Sequence, residues 1–251
     1  MSWSPGQYTK FEDERTRPAR DLLAAVPGGA GCAVDLGCGP GNSTELLAAR
    51  WPGARVSGVD SSPDMVAEAR RRLPGLAFEL ADIAAWQPAG PCDVIFANAV
   101  LQWLPDHARL LPRLVQQLRP GGSLAVQMPD NLDQPSHTLM QQDGPWRARL
   151  EAVAGVRSAI SSPSWYYGLL RPQCGRVDVW RTTYHHPLDG ADGIVEWFKG
   201  SGLRPFLAAL QADEREPYLQ RYRAALAEAY PVQPDGTALL AFPRLFIVAT
   251  R

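Results

Sequence analysis

The chain has 251 residues, with 25 basic and 26 acidic side chains and a net charge of −1. This length suits one large α/β domain, or one domain that carries a substantial insertion. The charge is balanced and forms no basic tail or stripe, which argues against a nucleic-acid substrate. We find no apolar signal segment and no run of membrane-spanning length, and we therefore expect a cytoplasmic protein without a membrane partner.

The cysteines indicate neither a zinc site nor a disulfide framework, because no two of them form a Cys-x-x-Cys pair. We predict that each is a small, reduced residue of the core or of a turn, and we predict no bound metal. The four are Cys32, Cys38, Cys92 and Cys174.

Residues 1–18 combine aromatic and basic side chains, which is unusual for a disordered tail. Trp3, Tyr8 and Phe11 lie among polar residues, and Arg17 follows them. One interpretation is a frayed terminus, the default for chain ends. The other, which we take as the hypothesis, is an aromatic lid that folds over a ligand and contacts it through Tyr8 and Arg17.

A glycine-rich turn follows the first predicted strand of the chain. The apolar run Ala33–Leu36 predicts a buried strand in which Asp35 is the one charge. Gly37 and Gly39 come next, and they let a ligand approach the backbone because they carry no Cβ. From Asn42 onward the apolar spacing is that of a helix packed on a sheet.

An acid at the end of the next predicted strand, Arg55–Asp60, makes this turn more informative. In a nucleotide-binding βαβ unit, a carboxylate at this position accepts hydrogen bonds from the ribose hydroxyls. The glycine turn alone is compatible with a simple strand-to-helix connection. The turn and Asp60 together predict a nucleotide-like ligand.

The segment after Asp60 supplies the candidates for contact with a base. Ser61 precedes a predicted helix with a serine cap and a proline in its first turn, and we place Met65 near the adenine edge. Asp82 and Ile83 follow the third predicted strand, where an acceptor could meet the adenine amine. A core methionine and a solvated turn acid are the alternatives for Met65 and Asp82.

The fourth predicted strand, Cys92–Ala97, leads into Asn98 and Trp103. Ligands of open α/β sheets bind beyond the carboxyl ends of the strands, where the strand order reverses. We therefore expect both side chains where cofactor and substrate meet. His107 could act as a base, although it also suits the first turn of a helix. Ser123–Met128 is the fifth predicted strand.

Two helical segments interrupt the late strands and predict a cap over the carboxyl edge of the sheet. Pro243 lies within the last strand and argues for an edge position or a bulge there. The predicted organisation is one domain over 1–251, with a lid at 1–18, a cofactor-binding core at 19–133, cap insertions at 134–172 and 188–232, and late strands at 173–187 and 237–250.

The stretch Asp35-Leu-Gly-Cys-Gly-Pro-Gly-Asn42 resembles the first motif of class I methyltransferases, whose ligand is S-adenosylmethionine. An acid beside the turn suits a ligand with a sulfonium and an amino group, whereas it would repel a pyrophosphate. A dehydrogenase is therefore disfavoured. The resemblance implies an α/β fold with a doubly wound, Rossmann-like, mostly parallel seven-stranded sheet.

Longer stretches are more distinctive, and over nearly its full length the chain resembles the trans-aconitate 2-methyltransferase family. They are Leu101-Gln-Trp-Leu-Pro-Asp-His107, Ala125-Val-Gln-Met-Pro-Asp-Asn131 and Ala241-Phe-Pro-Arg-Leu-Phe-Ile-Val-Ala249. The resemblance implies an S-adenosylmethionine-dependent enzyme that forms a monomethyl ester on a small polycarboxylate and releases S-adenosylhomocysteine. It is weakest over 141–164, which belongs to the predicted cap.

Ester formation on a carboxylate fits the absence of a convincing Cys/His or His/Asp pair in the sequence. A carboxylate is already ionised at neutral pH, so it needs no general base. We predict positioning residues only: arginine forks for the remaining carboxylates, with tyrosine and histidine as single donors. The substrate-binding candidates are Trp103, His107, Tyr166, Arg181, Tyr184, Arg204 and Arg244. The cofactor-binding candidates are Tyr8, Arg17, Asp35, Gly37, Gly39, Asn42, Asp60, Ser61, Met65, Asp82, Ile83, Asn98 and Trp103.

Two other functions stay open at this stage. The first is a methyltransferase that acts on another small molecule, such as the oxygen or nitrogen of a natural product. A phenol or an amine would need a base, and His107 or His185 would then be indispensable. The second is a non-catalytic S-adenosylmethionine-binding module with an apolar surface patch. We expect a monomer or a weak homo-oligomer.

Overall fold

The computed structural model describes residues 12–141, 144–154 and 159–251, so that the aromatic residues of the predicted lid lie outside the described residues. The chain divides into two compact units. The first comprises Met1–Pro129, Ile160–Arg181 and Leu245–Arg251, and the second comprises Asp130–Ala159 and Thr182–Arg244.

Seven strands of the described chain form one sheet in the order β3-β2-β1-β4-β5-β7-β6. The strands β1 to β5 pair in parallel. The order reverses at β1, which lies between β2 and β4, and this confirms the predicted doubly wound sheet. The bounds are β1 Cys32–Leu36, β2 Arg55–Asp60, β3 Ala77–Leu80, β4 Cys92–Asn98, β5 Leu118–Pro129, β6 Arg176–Asp189 and β7 Thr237–Thr250.

Five helices of the described residues belong to the first unit, and two of them show why their starts were predictable. Ser62 caps α3 by accepting a hydrogen bond from the Met65 amide at 3.4 Å, and Pro63 occupies the first turn. Asp106 caps α4 by accepting from the Arg109 amide at 3.3 Å. The bounds are α1 Glu12–Ala25, α2 Asn42–Arg50, α3 Pro63–Arg72, α4 His107–Gln116 and α7 Pro163–Leu170.

Buried tyrosines of the second unit bind backbone groups of residues 136–140. The Tyr222 hydroxyl donates to the Ser136 carbonyl at 2.6 Å, and the Tyr218 hydroxyl donates to the Met140 carbonyl at 2.9 Å. The Tyr230 hydroxyl accepts from the Ser136 amide at 3.1 Å. The bounds are α5 Pro135–Thr138, α6 Arg147–Ala154, α8 Gly190–Lys199, α9 Leu203–Ala208 and α10 Arg215–Ala229.

The core of the first unit forms around the central strands. All five residues of β1 are buried, and so are the four central residues of β4. Tyr166 and Leu170 of α7 belong to the same cluster. For this reason α7 groups with the first unit, whereas the sequence placed it in the cap over 134–172. All four cysteines are free and buried, as predicted.

Two further features of the late strands differ from the prediction. The strand β7 lies between β5 and β6, so of the two alternatives drawn from Pro243 the edge position is wrong, and the bulge stays a prediction. Pro243 still contributes its carbonyl, which accepts a hydrogen bond from the Asp130 amide at 2.9 Å. The strand β6 runs to Asp189, beyond the predicted end at 187. Over the described residues, no helix combines the length and apolarity that a membrane crossing requires.

Candidate functional site

The glycine turn after β1 forms one wall of a pocket in the first unit. Gly37 and Gly39 have φ angles of 68° and 53°, in the region that side chains disfavour. A Cβ added to Gly37 would lie 2.3 Å from Val100, so glycine is required there for space as well. The pocket opens to solvent and is lined by Thr16, Ala19, Gly37, Cys38, Gly39, Pro40, Asn42, Ser43 and Asn98.

Asp60 lies beside this turn, at the carboxyl end of β2. Its Oδ2 accepts a hydrogen bond from the Gly39 amide at 2.9 Å, and its Oδ1 accepts from the Ser62 amide at 2.8 Å. Each carboxylate oxygen has a second lone pair, so Asp60 can also accept from a ligand hydroxyl. This is the position that the sequence predicted for contact with a ribose.

Asn98 ends β4 and reaches the same pocket from the neighbouring strand. Its Oδ1 is buried, and it has no hydrogen-bond partner within the part of the chain that the structure describes. A buried acceptor without a partner costs about 1–3 kcal/mol. A ligand donor, such as an amino group, would remove that cost.

Asp35 does not line the pocket, and the predicted ligand contact is replaced by a supporting contact beneath the turn. The carboxylate is fully buried, and its Oδ2 accepts from Ser43 Oγ and Thr44 Oγ1, both at 2.7 Å. Burial raises the pKa of Asp35 to about 7, while the two hydroxyls lower it and the nearby charge of Asp60 raises it. Asp35 thus anchors the first turn of α2.

The candidates for adenine contact occupy different environments. Met65 and Ile83 are buried, with exposed fractions of 4% and 5%. Asp82 is exposed, and its Oδ1 accepts a hydrogen bond from the Ala84 amide at 2.8 Å. This oxygen therefore stabilises the local turn. The second oxygen of Asp82 can serve a ligand. Ser61 is exposed beside them.

Arg113 of α4 holds the turn that carries Asp82 and Ile83. Its guanidinium donates to the Ile83 carbonyl at 2.8 Å and to the Trp86 carbonyl at 2.6 Å. The Ala81 amide also donates to the Asp60 carbonyl at 3.1 Å, so the turn lies next to the end of β2. Nothing in the local sequence around Arg113 indicates this role, because its partners lie 27 and 30 residues away.

His107 and Tyr166, two predicted substrate contacts, are hydrogen-bonded to each other. His107 Nε2 lies 2.9 Å from the Leu101 carbonyl, and Nδ1 lies 2.7 Å from the Tyr166 hydroxyl. The carbonyl can only accept, which assigns the proton to Nε2 and lets the hydroxyl donate to Nδ1. Both ring nitrogens are therefore occupied, and Tyr166 is fully buried. The pair joins α4 to α7, whereas the sequence suggested substrate contacts.

Trp103 and Arg17 both present exposed side chains in the first unit. Trp103 ends a short 3-10 helix, Leu101–Trp103, and 42% of its surface is exposed. Arg17 is the next residue after Thr16, which lines the pocket. Arg181, another candidate of the first unit, is also exposed.

Tyr184 and Arg244 come together in the second unit. The Arg244 guanidinium lies 4.6 Å from the ring centroid of Phe242 and 6.0 Å from that of Tyr184. Arg244 is 4% exposed, so these contacts hold a buried cation between aromatic faces. Arg204 is half-buried in the first turn of α9.

Several pocket residues were not predicted from the sequence. Thr16 and Ala19 come from α1 and were not singled out in the sequence. Ser43 follows the glycine turn and was not singled out. The polar Asn-Ser-Thr run after the turn, 42–44, was the available signal for Ser43, whereas the position of Thr16 depends on how α1 packs.

Comparison with known proteins places this geometry in a family context. Residues 33–122, which include the glycine turn, match a family model described as a methyltransferase domain. A trans-aconitate 2-methyltransferase of Methylobacterium nodulans is 61% identical, over 99% of this chain and 98% of that protein. A trans-aconitate 2-methyltransferase of Rhodopseudomonas palustris is 56% identical, over 99% of both chains.

A solved structure supports the fold. Phosphoethanolamine N-methyltransferase 2 of Haemonchus contortus, in complex with phosphomonomethylethanolamine and S-adenosylhomocysteine, aligns with a TM-score of 0.56 at 17% identity. The alignment covers 93% of this chain and 52% of that one. At this identity the likeness concerns the fold.

Proposed function

The chain belongs to the trans-aconitate 2-methyltransferase family, and we propose that it forms a monomethyl ester of trans-aconitate with S-adenosylmethionine as the methyl donor. When bound, S-adenosylmethionine supplies a methyl group on a positively charged sulfur, which a carboxylate oxygen can take directly. The acid is ionised at neutral pH, so the chain needs no general base for this step. What the protein supplies is orientation and charge neutralisation.

The pocket residues of the first unit suit this cofactor. Gly37 and Gly39 leave room beside the backbone, and Asp60 can accept from the ribose hydroxyls. Asn98 Oδ1, the buried acceptor without a partner in the described chain, suits the amino group of the cofactor. Asp82 and Ile83 are proposed for the adenine end. The pocket and Asn98 support the cofactor assignment together with the family membership.

For the substrate we propose Arg244 as the first of the candidate arginines. A guanidinium recognises a carboxylate with two parallel hydrogen bonds. Arg244 is held by Phe242 and Tyr184, whereas Arg204 and Arg181 are more exposed and come second. Trp103 is proposed as an apolar contact. His107 and Tyr166 are not proposed as substrate contacts, because each already binds the other.

The observation that carries the proposal is the identity of 61% to a named relative, spread over nearly both chains, together with the pocket at the glycine turn. The test is methyl transfer from labelled S-adenosylmethionine to a panel of acids: trans-aconitate, cis-aconitate, isocitrate, citrate and itaconate. We expect trans-aconitate to turn over fastest and the product to be a base-labile ester. Base-stable label, or no transfer to any acid, would contradict the proposal.

The alternative of a base-dependent phenol or amine substrate is less well supported. His107, the first candidate for that base, has both ring nitrogens engaged. His185 is exposed on β6 and can be tested by His185→Ala. Cytoplasmic location and a monomer or weak homo-oligomer stay predictions, to be checked by cell fractionation and light scattering.

A further inference from the structure

The loop after β4 contains an alanine in the left-handed region of backbone space. Ala99 has a φ of 55°. This conformation costs about 1–2 kcal/mol for a residue with a Cβ, and it persists only where the surroundings impose it. The cause must therefore lie in the groups that bind the two peptide units of Ala99.

Both peptide groups of Ala99 are held. Its N–H donates to the Gln127 carbonyl on β5 at 2.9 Å. Its carbonyl accepts from Gln102 Nε2 at 2.7 Å. Gln102 is only 8% exposed, so this second bond is shielded from water. The carbonyl can only accept, which also assigns the amide nitrogen of Gln102 to this contact.

The two neighbours of Ala99 are connected to the candidate pocket in different ways. Asn98 lines the pocket directly, with a buried Oδ1 that has no partner among the described residues. Val100 packs behind Gly37, a lining residue whose added Cβ would approach Val100 to 2.3 Å. A change of φ at Ala99 would rotate Asn98 and Val100 relative to each other, and it would disturb both Asn98 and the support of Gly37.

Gln102 makes this contact at a cost. Its Oε1 is buried and has no hydrogen-bond partner over the described residues. A leucine or methionine of similar size would avoid that unpaired acceptor. The amide nitrogen has one partner among the described residues, the Ala99 carbonyl, and this contact explains why a side chain with a donor occupies the position.

We propose that Gln102 is a positioning residue of the cofactor site, which holds Ala99 in its left-handed conformation and thereby aims Asn98 into the pocket. The proposal rests on the proposed function, because it assumes that the pocket binds the S-adenosyl group. Gln102 acts through the backbone of Ala99 and does not touch the ligand.

The test uses glycine at position 99, which adopts a positive φ without help. Calorimetry would measure the Kd of S-adenosylhomocysteine for the full chain and for Gln102→Leu, Ala99→Gly and the double variant. We expect Gln102→Leu to weaken binding about tenfold, the upper range for loss of one hydrogen bond. The double variant should recover to within about threefold of the wild type, because glycine removes the need for the restraint. Gln220→Leu, at an exposed glutamine of α10, is the matched control and should bind as the wild type does.

Each other outcome has a definite meaning. Equal binding by Gln102→Leu and the wild type would overturn the inference. So would weak binding that Ala99→Gly fails to rescue, since Gln102 would then act on the ligand or on packing. No binding by the wild type would overturn the proposed function, and the inference with it.

A second variant covers the case in which Gln102→Leu does not fold. Gln102→Glu keeps the size of the side chain and replaces its donor by an acceptor that faces the Ala99 carbonyl. The same rescue by Ala99→Gly is expected. Hydrogen exchange adds a readout without ligand: the Ala99 amide should exchange at least about tenfold faster in Gln102→Glu, as expected for loss of one backbone restraint. Unchanged exchange would contradict the restraint.

Discussion

Individual residues of the glycine turn set how closely a ligand can approach the backbone. Gly37 combines a positive φ with direct packing against Val100, whereas Gly28 has a φ of 74° and nothing within 4 Å of an added Cβ. Comparison of the two glycines therefore separates the free-energy cost of a side chain at positive φ from the cost of a steric clash. They form a matched pair for mutagenesis.

We predict that Gly37→Ala destabilises the protein more than Gly28→Ala. Alanine at a positive φ costs about 1–2 kcal/mol, and this applies to both variants. The approach of 2.3 Å to Val100 adds an overpacking cost at position 37 only, of about 1–3 kcal/mol. Urea unfolding measures the difference. Equal losses in the two variants would show that Val100 yields without cost.

Asp35 predicts a dependence of stability on pH. Burial raises its pKa from 3.8 to about 7 in the folded protein. Between these values the folded state retains a proton that the unfolded chain has released. The stabilisation from Asp35 is therefore complete below pH 3.8 and is lost as the pH rises to about 7.

Asp35→Asn removes this titration while it keeps an acceptor for Ser43 and Thr44. We expect the free energy of unfolding of the wild type, relative to that of Asp35→Asn, to fall between about pH 4 and pH 7 and to level off above. Urea unfolding at a series of pH values measures it. A difference that is constant, or that grows with pH, would contradict the assignment.

Arg244 is the residue that we propose for contact with a substrate carboxylate. A charge-assisted hydrogen bond contributes about 1.5–3 kcal/mol, so Arg244→Ala should raise KM for trans-aconitate about tenfold or more. KM for S-adenosylmethionine should change little. Arg109→Ala, whose side chain is 90% exposed on α4, is the control. Unchanged kinetics for Ala variants of Arg181, Arg204 and Arg244 would refute an arginine clamp.

At the scale of elements, α7 and α4 are joined by the hydrogen bond of Tyr166 and His107. The first turn of α4 was predictable because Asp106 caps it locally. The attachment of α7 was not, because the two bonded residues lie 59 positions apart. Sequence periodicity reports which face of a helix is apolar, but it does not report which neighbour covers that face.

We predict that Tyr166→Phe lowers stability without a large effect on turnover. The variant removes the donor to His107 Nδ1, which is part-buried, and the loss of one such hydrogen bond costs about 0.5–1.5 kcal/mol. Tyr167→Phe is the matched control, since Tyr167 is 47% exposed on the same helix. Thermal unfolding and steady-state kinetics measure the two effects. A specific rise of KM for the acid in Tyr166→Phe would restore Tyr166 as a substrate contact.

For the whole molecule, ligand binding should increase the free energy of unfolding. A ligand at about a hundred times its Kd adds about 2.7 kcal/mol to the free energy of unfolding. We expect S-adenosylhomocysteine to do so for the wild type and for Asp64→Ala, at an exposed acid of α3. Asp60→Ala should lose most of the gain at the same concentration, because its carboxylate is the proposed ribose acceptor. An equal thermal shift in all three would remove Asp60 from the site.

The fold class and several residues of the candidate pocket were predictable from the sequence alone. The strand, the glycine turn, Asp60 and the end of β4 at Asn98 follow from local patterns: apolar runs, residues without a Cβ, and caps. Because the strands are parallel, their carboxyl ends lie along one edge of the sheet, and the residues that follow them come close together. These signals each lie within a few residues of the position that they predict.

Only the tertiary structure decided which polar side chains are available to a ligand. Asp35 is engaged by Ser43 and Thr44 beneath the turn, and His107 is engaged by Tyr166. The strain at Ala99 depends in part on Gln127 of another strand. Whether a side chain binds a ligand or a neighbour depends on groups that packing brings together from distant parts of the chain, and such pairings leave no periodic pattern in the sequence.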